Sequence, residues 1–137
     1  MPENALAKKL KLKPGQRATV INAPQDYLKE LGPLPAGVQL ADHLQGKFDW
    51  LQIFVKIKAQ LDKFVPKVIR ALKPESLLWV SYPKGTSKIQ TDLTRDQGWE
   101  AIQTAGLKWL NLISVNATWS AFSLRLYKPG ESRQTFR

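Results

Sequence analysis

The chain has 137 residues, a formal net charge of +10, one histidine and no cysteine. That length suits a single domain with a sizeable core, and the missing thiols exclude disulfides, a cysteine nucleophile and cysteine-held zinc or iron–sulfur centres. An apolar share of 43% with 23% charged residues sets aside disordered and fibrous architectures.

No stretch matches the apolar core of a signal peptide or a membrane span, so a cytoplasmic protein without a membrane partner is expected. The charge favours an anionic partner: a small anionic molecule, an acidic protein or nucleic acid. Lys8, Lys9, Lys11, Lys13 and Arg17 crowd the first segment, and Lys56, Lys58, Lys63, Lys67, Arg70 and Lys73 mark one later helix. A solvated basic surface accounts for the same residues, and no zinc-finger, RNA-recognition or basic-zipper pattern decides between the two.

In chain order, residues 1–12 read as a basic N-terminal arm, 13–128 as one α/β domain and 129–137 as a flexible tail. Lys13-Pro14-Gly15 is a turn signal before the β-branched run Ala18-Thr19-Val20-Ile21, the first strand. Asn22-Ala23-Pro24 stops it, and Gln25 to Leu31 makes a short helix closed by Gly32 and Pro33. Val38-Gln39-Leu40 forms a brief second strand, and Phe48 to Val55, apolar almost throughout, a third covered on both faces. Ile57, Leu61, Phe64, Val68 and Leu72 recur at steps of three and four, one face of a helix that Pro66 should kink and Lys73-Pro74-Glu75 should end. Leu77 to Tyr82 is the fourth strand. Thr94 with Gln97 makes a capping box for a helix that turns Trp99 and Ile102 inward and ends at Gly106. Trp109 to Val115 and Ser120 to Tyr127 then flank Asn116-Ala117-Thr118 as an antiparallel hairpin. Alternating strands and helices predict an α/β fold: a three-layer, mainly parallel Rossmann-like sheet with a C-terminal antiparallel hairpin strand. The carboxyl ends of strands one, three and four should then share one edge.

Phe48-Asp49-Trp50-Leu51 and Leu72-Lys73-Pro74-Glu75-Ser76-Leu77-Leu78-Trp79-Val80 resemble the middle strands, and the turn between them, of S-adenosylmethionine-dependent methyltransferases. A closer resemblance is to an uncharacterised family of short bacterial domains of unknown function. It rests on Lys13-Pro14-Gly15, Phe48-Asp49, Leu78-Trp79-Val80-Ser81-Tyr82-Pro83-Lys84 and Thr118-Trp119-Ser120-Ala121, and spans Leu12 to Tyr127. That resemblance implies a bacterial origin and a methyltransferase-like scaffold without an assigned activity. Cofactor binding in methyltransferases resembles the general glycine-rich solution, a tight turn after the first strand where backbone approaches the ligand. Here the turn reads Asn22-Ala23-Pro24-Gln25-Asp26, with no glycine and with a proline that lacks a backbone donor. No cofactor is therefore expected in the usual pose, and S-adenosylmethionine stays open as the alternative.

Ligands of parallel sheets collect outside the carboxyl ends of the strands, which directs attention to the junction after Tyr82. Lys84, Thr86, Ser87 and Lys88 put two cations and two hydroxyls on one short loop, a set able to hold a phosphate or carboxylate. A basic surface loop has the same composition. It is not a P-loop, which needs a glycine at each end of its cradle and a lysine just after the second. Asp92, Arg95 and Asp96 lie near the next helix start, where acids stabilise the dipole, and read as capping residues. His43 reads as a loop or surface residue, with no acidic partner at an informative spacing. Trp50, Trp79 and Trp109 read as core, while Trp119 either lines a pocket or covers a sheet end. The expected binding set is Asn22, Pro24, Tyr82, Lys84, Thr86, Ser87, Lys88 and Trp119; no catalytic or metal-ligating set stands out. Three functions compete: a ligand- or partner-binding, regulatory domain on a degenerate methyltransferase-like scaffold; a reduced methyltransferase or other transferase; and a non-specific nucleic-acid binder.

Overall fold

The computed structural model describes residues 5–94 and 97–132. Its strands are β1 (Arg17–Ile21), β2 (Gln39–Ala41), β3 (Phe48–Phe54), β4 (Leu72–Pro83), β5 (Leu107–Ser114) and β6 (Trp119–Leu126). Its helices are α1 (Ala5–Lys9), α2 (Tyr27–Leu31), α3 (Lys58–Ile69) and α4 (Glu100–Ala105). One six-stranded sheet runs in the order β2-β1-β3-β4-β6-β5. The first four pair in parallel, and β6 runs antiparallel to both β4 and β5. This is the three-layer Rossmann-like arrangement that the alternation of elements predicts.

Period-2 alternation in the central strands divides the core between two faces. Trp50, Phe54 and Trp79 join Tyr27, Leu31 and Leu10 on the α1/α2 side. Leu51, Ile53, Leu78 and Val80 join Leu61, Val65, Val68 and Ile102 on the α3/α4 side. Burying an aliphatic or aromatic side chain of this size stabilises by about 1.5–3 kcal/mol, so both layers contribute. Below the first turn, a polar chain crosses the α1/α2 side. Tyr27 OH donates to Gln52 Oε1 at 2.7 Å, and Gln52 Nε2 donates to Ser81 Oγ at 2.9 Å, all three residues being fully buried.

Four local expectations are corrected. Residues 5–12 are no detached arm: Ala7, Leu10 and Leu12 are buried, and the Leu10 carbonyl accepts the indole N–H of Trp50 at 2.8 Å and of Trp79 at 2.7 Å. The lysines of this segment hide that apolar spacing. α3 runs unbroken through Pro66, which lies on the exposed side, so the carbonyl deprived of its donor faces water. Its inward face is Leu61, Val65 and Val68, while Ile57 is 40% exposed. Leu72 to Ser76 belongs to β4. Ser76 Oγ accepts Lys73 N at 2.7 Å and donates to Phe48 O at 2.5 Å, closing a bulge between the Phe48–Leu72 and Trp50–Leu77 pairs. α4 starts at Glu100, not at Thr94, whose Oγ1 accepts Gln97 N at 3.1 Å in the turn ahead of it. Arg95 and Asp96 lie outside the described residues. Asp92 is a cap as expected, but of another helix, since its carboxylate accepts Lys58 N at 2.6 Å at the start of α3.

The stretch read as a tail is anchored at Glu131, which accepts from Arg125 Nη1 and Nη2 at 2.9 and 2.7 Å and from Lys108 Nζ at 2.7 Å. These bonds, Arg125 first, hold its carboxyl well below the usual carboxylate range. Residues 133–137 lie outside the described residues.

Candidate functional site

The rim is set by register. Ile21 pairs with Ile53, and Phe54 with Ser81, so β1, β3 and β4 end on one edge and bring Asn22 and Lys84 out together. Two adjoining hollows open there and share Ile89 in their walls. The smaller, about 410 Å³, is bounded by Asn22, Pro24, Gln25, Lys56, Gln60 and Trp119. The larger, about 880 Å³, lies towards the loop after β4 and is bounded by Tyr82, Lys84, Thr86, Gln90, Thr94 and Ser120.

The turn after β1 closes without glycine because Asn22 itself adopts the left-handed conformation, φ 61°, which asparagine tolerates better than most residues. Its Nδ2 donates to Phe54 O at 2.8 Å, tying the end of β1 to that of β3. Pro24 O accepts Tyr27 N at 3.1 Å and opens α2. Trp119 settles both of its alternatives at once. It is buried, packs edge to face on Phe54 with centroids 5.0 Å apart, and presents part of its ring to the smaller hollow. Tyr82 is likewise a wall held from behind, stacked on Phe122 at 5.6 Å and edge-on to Trp99 at 5.1 Å.

The loop after β4 is not the four-residue cradle its composition suggests. Ser87 Oγ and N both donate to Lys84 O, at 2.8 and 3.0 Å, so that hydroxyl is spent on closing the turn. Ser87 and Lys88 line neither hollow. Lys84 N donates to Thr118 O at 2.8 Å, which fixes the loop against the β5–β6 turn. The expected set therefore splits: Asn22, Pro24 and Trp119 surround one hollow, and Tyr82, Lys84 and Thr86 the other.

Gln60 escaped the sequence reading, and Lys56 entered it only as part of a basic helix, although it lies just past the end of β3 and the strand-end rule points to it. Gln60 Oε1 accepts Lys56 N at 2.6 Å, which holds both at the mouth. His43 does have an acidic partner, its neighbour: Nδ1 lies 2.6 Å from Asp42 Oδ1, and Nε2 lies 2.9 Å from Gln45 Oε1. The bond to His43 lowers the Asp42 carboxyl, and the same bond raises the imidazole. Both are exposed just past β2 and line neither hollow.

Among the described residues, neither hollow is lined by a carboxylate or an imidazole. No group of three His, Asp or Glu among them could hold a metal, and no helix is long and apolar enough to cross a membrane. What the rim offers is ammonium, amide and hydroxyl donors around aromatic walls, a set suited to a polar or anionic ligand.

No protein-family model matches the chain, and no curated protein matches it in sequence. Solved structures do match in fold. A SAM-dependent methyltransferase from Aquifex aeolicus aligns with TM-score 0.59 at 13% identity, over 88% of this chain and 87% of that one. The DhpI–SAH complex aligns with TM-score 0.61 at 9% identity, over 90% and 82%. The LepI complex with SAM aligns with TM-score 0.53 at 16% identity, over 89% of this chain but only 39% of the longer LepI. The scaffold is methyltransferase-like.

Proposed function

We propose that the chain is a ligand-binding domain that uses a methyltransferase-like scaffold without the methyltransferase cofactor. The observation that carries this reading is the lining of the smaller hollow, which occupies the turn after β1 where a Rossmann-like fold receives its nucleotide. S-adenosylmethionine bears two positive charges, on sulfur and on its α-ammonium, beside a single carboxylate, and its cationic groups need carboxylates or carbonyls facing them. Here Lys56 contributes a cation, no carboxylate lines the hollow among the described residues, and Pro24 has no N–H to offer. The residues present do not fit S-adenosylmethionine in the usual pose, and no methyl-transfer step is derived from them. Volumes of about 410 and 880 Å³ lie in the range of small-molecule sites, roughly 300–1,000 Å³.

Thermal unfolding with added ligands tests the reading. A compound at 100 times its Kd adds about 2.7 kcal/mol to stability. S-adenosylmethionine and S-adenosylhomocysteine at millimolar concentration are expected to leave the midpoint unchanged, whereas one or more members of a panel of small polar anions should raise it. Trp119→Phe, which keeps an aromatic wall but reshapes the smaller hollow, should alter that response. A clear stabilisation by either sulfur compound would overturn the proposal.

A further inference from the structure

Ser114, the last residue of β5, receives two ammonium groups from distant parts of the chain. Lys9 Nζ, from the end of α1, donates to its carbonyl at 2.6 Å, and Lys84 Nζ donates to its hydroxyl at 2.5 Å. Two cations gathered on one exposed residue repel each other unless a negative charge joins them. Among the described residues neither lysine has a carboxylate within ion-pair distance. Glu30 reaches the same corner, but its Oε1 accepts Asn116 Nδ2 at 3.1 Å. Each ammonium has three donors, so each keeps donors for a further acceptor. Lys84 also lines the larger hollow, as does Ser120, the cross-strand partner of Ser114.

We propose that Lys9 and Lys84, joined at Ser114, form an anion site that takes the phosphoryl group of a small phosphorylated ligand whose remainder lies in the larger hollow. The placement of that remainder rests on the ligand-binding reading above; the anion site itself does not. It differs from the cradle expected from sequence, because the second cation comes from α1 and not from Lys88. The Ser114 hydroxyl donates to Asn116 O at 3.3 Å, so the ammonium groups are the donors to the ligand; phosphate is favoured over carboxylate because two ammonium groups from different elements suit a tetrahedral group with several acceptor oxygens.

Inorganic phosphate and pyrophosphate are the probes, followed by phosphorus NMR line broadening with the full chain at low salt. Lys9→Gln and Lys84→Gln should each weaken pyrophosphate about tenfold, the loss expected for one charge-assisted bond. Lys84→Arg should retain binding, Glu30→Gln should tighten it, and Lys63→Gln, on the exposed face of α3, should leave it unchanged. Circular dichroism of every variant separates loss of the site from loss of the fold. Absence of phosphate binding would overturn the proposal, as would an equal loss in Lys63→Gln and Lys84→Gln. A single-stranded oligonucleotide that outcompetes pyrophosphate and ignores Lys9→Gln would also overturn it, by showing general attraction to the basic surface. Inorganic phosphate alone reads the anion site, and the response to the two sulfur compounds reads the strand-end hollow, so failure of the one and failure of the other remain distinguishable.

Discussion

Replacing Gln52 by leucine removes a buried polar side chain that stitches α2 to the sheet beneath the first turn, at nearly constant volume. Both bonds of its amide are lost, to Tyr27 OH at 2.7 Å and to Ser81 Oγ at 2.9 Å. The Tyr27 hydroxyl is left as a buried donor without an acceptor, which costs about 1–3 kcal/mol. The second lost bond adds about 1 kcal/mol, and the apolar leucine side chain offsets about 1 kcal/mol. Gln52→Leu should therefore destabilise by about 1–3 kcal/mol. Tyr27→Phe alone should cost about 1 kcal/mol, chiefly by stranding the Gln52 carbonyl oxygen. Combined, the two substitutions leave no orphan at that contact, so the double variant should be more stable than the sum of the singles implies, by at least about 1 kcal/mol. Urea unfolding with an unchanged m value is the assay, because a shifted slope would signal a change in the ensembles and not in this contact. Additivity within about 0.3–0.5 kcal/mol would refute the reasoning and show that the network is not coupled.

Burial raises the Tyr27 phenol well above its ordinary value, with only partial opposition from its bond to Gln52. A raised folded pKa means that the unfolded chain loses this proton first, near pH 10. Its contribution is whole below that pH and falls by about 1.4 kcal/mol per pH unit above it, so ΔG of unfolding should drop less steeply there in Tyr27→Phe than in the parent. Equal slopes would count against a buried, un-ionised Tyr27. Gly98 has φ +97°, and a Cβ there would meet Leu93 Cδ2 at 2.6 Å and Asp92 O at 3.4 Å. Gly98→Ala should destabilise by about 1–3 kcal/mol. Because Leu93 lines the larger hollow, any ligand found there should bind the variant more weakly, as read by calorimetry.

Much of the fold is legible in particular runs. The β-branched Ala18 to Ile21, the doubly apolar Phe48 to Val55 and the alternating Ser120 to Tyr127 all form strands within a residue or two of their expected ends. Leu72 to Ser76 was not legible, because Lys73-Pro74-Glu75 is a turn by composition and becomes strand only when Ser76 reaches the Phe48 carbonyl. Leu10 was obscured by the basic residues around it, and its burial depends on two indoles at positions 50 and 79 that share its carbonyl.

Period, breaker residues and charge act between near neighbours, through backbone sterics and the burial of one face, and so they are readable along the chain. They determined the α/β class, the strand-end rim, the missing glycine after β1 and the scarcity of acid–base groups. Which side chains meet at that rim depends on sheet order and register. Only the packed molecule separated Asn22 and Trp119 from Tyr82 and Lys84, and brought Lys9 across to Lys84 at Ser114. Contacts of that kind link residues tens of positions apart, and no local pattern encodes the partner.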